Sequence, residues 1–98
     1  MTSWGFLTHH AQILIQISRK PDSTGIEIAN TVGITERATR KIITDLQNAG
    51  YLEAERIGRR NRYVVDMRRP LGYIGERELT VGELLSLLHP DEDRSMSA

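Results

Sequence analysis

The chain contains no cysteine. That excludes disulfides, thiol redox sensing and thiolate metal sites. Aromatic residues are scarce, with one Trp (Trp4), one Phe (Phe6) and three Tyr. Trp4 and Phe6 are expected to cover the chain's own core, with reach across to a partner subunit as the alternative, and two aromatics without nearby cations do not make a base-stacking platform. No apolar run approaches the ~18 residues of a membrane span. The first residues lack the basic segment and cleavage pattern of a secretory signal, so a cytoplasmic location is expected. There is no glycine-rich phosphate loop and no metal-ligand pair at helical spacing. His9 and His10 point ~100° apart on a helix and cannot easily share a metal, and His89 is far away in sequence. Satisfied surface or interface histidines are expected. Glu53 and Glu55 fall on one side of a strand, where solvated charges explain them. No catalytic residue, metal or cofactor is expected.

Net charge is also absent, with thirteen basic and thirteen acidic residues in 98. The balance hides a polarised chain. Residues 37–62 hold seven bases (Arg37, Arg40, Lys41, Arg56, Arg59, Arg60, Arg62) against three acids (Asp45, Glu53, Glu55). Residues 76–98 hold six acids (Glu76, Glu78, Glu83, Asp91, Glu92, Asp93) against two bases (Arg77, Arg94). Local field rather than net charge steers an encounter with a polyanion. The hydrophobic fraction, 39%, supports one modest core, which self-association would supplement.

The chain is organised around residues 24–66. Thr24 with Glu27 forms a capping box that starts a helix, and Ile28, Ala29 and Val32 share its apolar face. Gly33 supplies the left-handed backbone that ends it. Ile34 plugs the turn and Thr35 caps a second helix over residues 36–48, with Gly50 just past its end. On that helix Thr39, Ile42, Ile43 and Leu46 share one face, with Ala38 at its edge. Arg37, Arg40, Lys41 and Thr44 share the opposite face. Arg can read guanine O6 and N7 bidentately, and Lys and Thr can reach bases or phosphates. A merely solvated basic face is the simpler alternative.

After Gly50 the period changes to two. Leu52, Ala54, Tyr63 and Val65 suit half-buried strands joined at a tip, Gly58-Arg59-Arg60-Asn61. Arg56, Arg59, Arg60 and Arg62 put four arginines into seven residues. A basic hairpin suits phosphate or minor-groove contact; protection of a strand edge would need only one or two of those charges.

These pieces in this order resemble a small winged helix-turn-helix transcriptional regulator of the MarR/ArsR-like group. The resemblance covers about residues 8–65. It is carried by Ile28-Ala29, by Val32-Gly33-Ile34-Thr35, by the helix exit Asp45-Leu46-Gln47-Asn48-Ala49-Gly50-Tyr51-Leu52, and by Gly58-Arg59-Arg60-Asn61-Arg62-Tyr63. It implies sequence-specific binding of double-stranded DNA, usually as a homodimer, and supplies no effector. Candidate DNA-binding residues are Thr35, Glu36, Arg37, Arg40, Lys41 and Thr44 on the helix, and Arg56, Arg59, Arg60, Asn61 and Arg62 on the wing. Glu36 would accept from a cytosine amino group. Ser23 and Thr24 are expected to bridge to the hairpin, as related folds do.

Outside this stretch, Thr8 caps a helix running to residue 19 or 20. Ala11, Leu14, Ile17 and Ser18 line one side, and Ile13 and Ile15 widen the apolar surface, so the helix is expected to be central. Ile26 falls off the apolar face of its helix. Pro70, Gly72 and Gly75 mark residues 67–79 as an irregular connector, in which Arg68 and Arg69 are further candidates for phosphate contact. Thr80 and Glu83 form a second capping box, starting a short helix stopped by Pro90. Its stripe, Val81, Leu84, Leu85 and Leu88, widened by Leu87, is the expected dimer contact, with docking on the chain's own core as the alternative.

The expected fold is therefore α+β, mainly α: a winged helix-turn-helix domain over residues 1–66 (wing 51–66), a connector (67–79), a C-terminal leucine-rich dimerisation helix (80–89) and a tail (90–98). The expected function is DNA-binding transcription regulation as a homodimer, with no membrane partner. The alternative is a winged-helix protein-interaction module whose basic face is incidental. RNA binding through the same face is less favoured, because exposed aromatics are missing from it.

Overall fold

A computed structural model describes residues 6–88. Trp4, His89 and the expected tail lie outside them. The chain divides into two compact units, Met1–Val65 and Asp66–Ala98.

In the first unit, α1 (His9–Arg19), α2 (Gly25–Val32) and α3 (Glu36–Asn48) precede a hairpin of β1 (Leu52–Ile57) and β2 (Arg60–Val65). Each helix starts on a threonine whose hydroxyl accepts from a backbone amide in the first turn: Thr8 from Ala11, Thr24 from Glu27, Thr35 from Ala38. This satisfies amides that have no carbonyl partner within the helix. At Thr24 the box is reciprocal, the Glu27 carboxylate accepting from the Thr24 amide at 2.8 Å. Gly33 ends α2 at φ +86°, and the amides of Gly33 and Ile34 both donate to the Ala29 carbonyl. A side chain would strain that backbone.

The apolar stripes converge as expected. Ile13, Leu14 and Ile17 of α1, Ile28 and Ala29 of α2, Ile42, Ile43 and Leu46 of α3, and Leu52 of β1 are buried together with Thr39. The Thr39 hydroxyl donates to the Thr35 carbonyl at 2.9 Å, so its burial leaves no unpaired proton. Helix α1 packs on α2, α3 and β2 and is the centre of the unit. Ile26 is exposed, and so is Phe6 at 90%. Phe6 therefore does not enter the core, a correction to its expected role.

The hairpin register pairs Leu52 with Val65, Ala54 with Tyr63, Arg56 with Asn61 and Ile57 with Arg60. The turn is thus the two residues Gly58 and Arg59, and Arg60 and Asn61 belong to β2 rather than to the tip. Only Leu52 is buried; Tyr63 and Val65 are half-buried and Ala54 is exposed, contrary to expectation. The bridge to the hairpin is also displaced. The Tyr63 amide donates to the Pro21 carbonyl at 2.9 Å, whereas buried Ser23 donates to Lys20 O at 2.8 Å and Thr24 is engaged in its cap.

The second unit corrects the expected connector. Residues 67–79 hold most of an antiparallel hairpin, β3 (Pro70–Ile74) and β4 (Arg77–Thr80), with a bulge between Pro70 and Gly72. An Asx turn leads in, the Arg68 amide donating to Asp66 Oδ1 at 3.0 Å. Helix α4 (Val81–Leu88) follows directly, capped by Thr80 and Glu83 as expected. Its first amides are taken by the turn before β3: Val81 donates to Arg69 O at 3.0 Å and Gly82 to Met67 O at 2.8 Å. A Cβ at position 82 would sit 3.0 Å from Met67 O, so glycine permits the approach. Of the expected dimer stripe, Val81 (0% exposed) and Leu85 (4%) are already buried within the single chain. Leu84 is half-buried and Leu88 is exposed, as is Leu87 at 75%.

Three carboxylates titrate below their ordinary range. Glu27 is lowered by the Thr24 amide and then by Lys20, Asp45 by its contact with His10 against an opposing desolvation, and Glu83 by the Thr80 amide and then by Arg77. A carboxylate whose folded pKa is depressed contributes stability that is present above its unfolded pKa. That contribution is lost as pH falls through the folded value. Denaturant midpoints are expected to hold through neutral pH and then fall in acid, and Glu27→Gln should flatten part of that fall. A midpoint that rises on acidification would contradict these pairings.

Candidate nucleic-acid interface

Helix α3 is built as two faces. Thr39, Ile42, Ile43 and Leu46 fix one against α1 and α2, which forces Arg37, Arg40, Lys41 and Thr44 outward; all four are exposed. The helix is therefore held by its back, and its basic face is exposed.

The charges on that face are not all independent. Arg40 Nη2 lies 2.6 Å from Glu36 Oε2, and Lys41 Nζ lies 3.7 Å from Asp45 Oδ2. His10 Nε2 reaches the same Asp45 oxygen at 2.9 Å. The i,i+4 spacing of Glu36 with Arg40 and of Lys41 with Asp45 is the sequence signal for these pairs; a face drawn from cations alone misses it. Such half-exposed pairs are worth only ~0.2–1 kcal/mol, less than a bidentate guanine contact at ~1–3 kcal/mol, so they are exchangeable. Arg37 has no acidic partner within 4.0 Å among the described residues. The Thr44 hydroxyl donates to Arg40 O at 3.0 Å and keeps its lone pairs for a donor. Thr35 caps α3, so its hydroxyl already accepts from Ala38 N at 3.1 Å.

On the hairpin, strand alternation divides the arginines that the sequence groups into one tip. Arg56 shares a face with Asn61, Tyr63 and Leu52, whereas Arg60 and Arg62 share the other with Ile57 and Glu55. Arg59 stands in the turn. Arg56 Nε donates to Gly58 O at 3.2 Å, which folds its guanidinium back on the turn. Arg60 donates to Asp22 O at 3.4 Å and lies 3.9 Å from Glu27 Oε1. Arg59 and Arg62 have no acidic partner within 4.0 Å among the described residues. Where the hairpin meets the α1–α2 loop, a surface cleft of about 430 Å³ is lined by Pro21, Asp22, Ile57, Arg60, Asn61 and Arg62.

Among the described residues no group of three or more His, Cys, Asp or Glu side chains could hold a metal ion. No helix among them is long and apolar enough to cross a membrane.

Residues 8–53 match the model of the winged helix-turn-helix DNA-binding family. This stretch runs from the Thr8 cap through α1, α2 and α3 into β1, somewhat under half of the chain, and is similar there to winged helix-turn-helix DNA-binding domains, which are non-catalytic modules. The match ends before Arg56, so the arginines of the hairpin stand on geometry alone. Among curated proteins, none matches the chain.

Proposed function

We propose that the protein is a homodimeric, sequence-specific regulator of transcription of the MarR/ArsR-like kind, acting in the cytoplasm without a cofactor. The observation that carries the reading is α3, a helix with an apolar face buried against α1 and α2 and an opposite face carrying Arg37, Arg40, Lys41 and Thr44, within a matched DNA-binding domain. In a helix-turn-helix the second helix lies in the major groove and reads base edges. Arg37 and Arg40 then read bases, Lys41 and Thr44 reach bases or phosphates, and Glu36 accepts from a cytosine amino group when Arg40 turns to the DNA. Thr35 acts as the cap that aims the helix. Arg59, Arg62, Arg56 and Asn61 of the wing hold the adjacent backbone or minor groove. Residues 1–66 are the DNA-binding part in this reading.

The dimer contact is narrower than the stripe of α4 suggests. Val81 and Leu85 are occupied within the chain, so Leu84, Leu87 and Leu88 are the residues left for a second copy. A two-fold dimer places two copies of α3 about one DNA turn apart, on a near-palindromic site.

Selection of bound duplexes from random DNA, followed by anisotropy titration, tests the reading. A selected duplex should bind at least ~10³-fold more tightly than random sequence. Equal affinity for both would remove specific readout and leave the protein-interaction alternative. Arg59→Ala should weaken selected and random duplexes alike. It should also lower the slope of log affinity against log salt by about 0.9, the loss of one phosphate contact.

A further inference from the structure

We infer that Arg60 is a positioning residue, which sets the angle of the wing by holding the segment between α1 and α2 instead of gripping the duplex itself. Its consequence for binding rests on the DNA-binding reading above; its geometry does not.

Every residue from Glu53 to Arg62 is exposed. The outer hairpin therefore has no apolar packing of its own to fix its direction, and a two-stranded ribbon is marginal by itself. Beside the packing of α1 on β2, three polar contacts among the described residues tie β2 to the first half of the unit. The Tyr63 amide donates to Pro21 O at 2.9 Å, Arg60 Nη2 donates to Asp22 O at 3.4 Å, and the same nitrogen lies 3.9 Å from Glu27 Oε1. Two of the three belong to Arg60. Glu27 is itself fixed, because its Oε1 accepts from the Thr24 amide at 2.8 Å and its Oε2 from Lys20 Nζ at 3.2 Å. It is an anchored carboxylate at the start of α2, and a guanidinium is long and rigid enough to reach it from the hairpin. Residues 59 and 62 lack such ties and remain for phosphate.

The decisive variant is Glu27→Gln. Glutamine can still accept from the Thr24 amide, so the capping box survives. If Arg60 works through Glu27, this variant binds a selected duplex about two- to five-fold more weakly, the range of one half-exposed ion pair. If Arg60 instead grips phosphate, removing a neighbouring negative charge tightens binding, and the proposal is overturned. Glu27→Gln combined with Arg60→Ala should bind no more weakly than Arg60→Ala alone; additive losses also overturn it. Hydrogen exchange at the Tyr63 amide needs no DNA. It should be faster in both single variants, and unchanged exchange refutes the strut. Should the unaltered chain fail to tell selected from random duplex while Tyr63 exchange still responds, the functional reading falls and the strut stands. If Arg60→Ala does not fold, Glu27→Gln with its two readouts decides alone.

Discussion

Arg37→Ala is expected to cost about 1–3 kcal/mol of affinity for a selected duplex and to relax discrimination at one base position. Arg37 leaves the first turn of α3 exposed, without an acidic partner within 4.0 Å among the described residues. Its fork is therefore available to a base edge without first giving up a contact. Arg40→Ala should act in the same direction but less strongly, because in the free protein Arg40 is held by Glu36 at 2.6 Å. Exchange of that pair for a guanine contact returns only the difference between them, and the pair is worth up to about 1 kcal/mol. Anisotropy at fixed salt, with the selected site and single-base variants of it, separates the two. A loss that is the same for every sequence would make both residues phosphate contacts and would overturn the assignment of α3 to base reading.

Ile17→Ala is expected to destabilise the first unit by about 2–5 kcal/mol. Ile17 is fully buried, and α1 packs on α2, α3 and β2 at once, so surrounding elements cannot collapse onto the cavity without moving one another. Against a total stability on the order of 5–15 kcal/mol, this is a large fraction. The urea midpoint should fall while the slope stays constant. Ile26→Ala is the internal control: that side chain is 57% exposed, and its removal should change stability by no more than about 0.5 kcal/mol. Similar losses at both positions would mean that α1 is not the centre of the unit.

The legibility of the chain varied with the range of the forces involved. Helix starts were readable because Thr8, Thr24, Thr35 and Thr80 each act within three residues of themselves. The burial of Thr39, Ile42, Ile43 and Leu46 was readable because helical period alone puts them on one face. The hairpin β3–β4 was missed because Pro70, Gly72 and Gly75 are turn and breaker residues in isolation. Its strands are instead closed by cross-strand pairing of Tyr73 with Glu78 and Ile74 with Arg77, and followed by a helix whose first amides need the Met67 and Arg69 carbonyls. The pairing of Arg40 with Glu36 was readable in principle, since its spacing is local. Arg60 was not: its partners, Asp22 and Glu27, lie more than thirty positions earlier in the chain.

By itself, then, the order of residues determined where helices begin and end, which of their faces turn inward, and that cationic side chains gather on α3 and the following hairpin. Those properties follow from capping, from periodicity and from the kinds of side chain present, all of which operate between near neighbours. Tertiary structure decided which of those cations are held and which stand open, and which leucines of α4 remain outside. The reason is that a guanidinium or a leucine meets its partner only after distant segments have packed together.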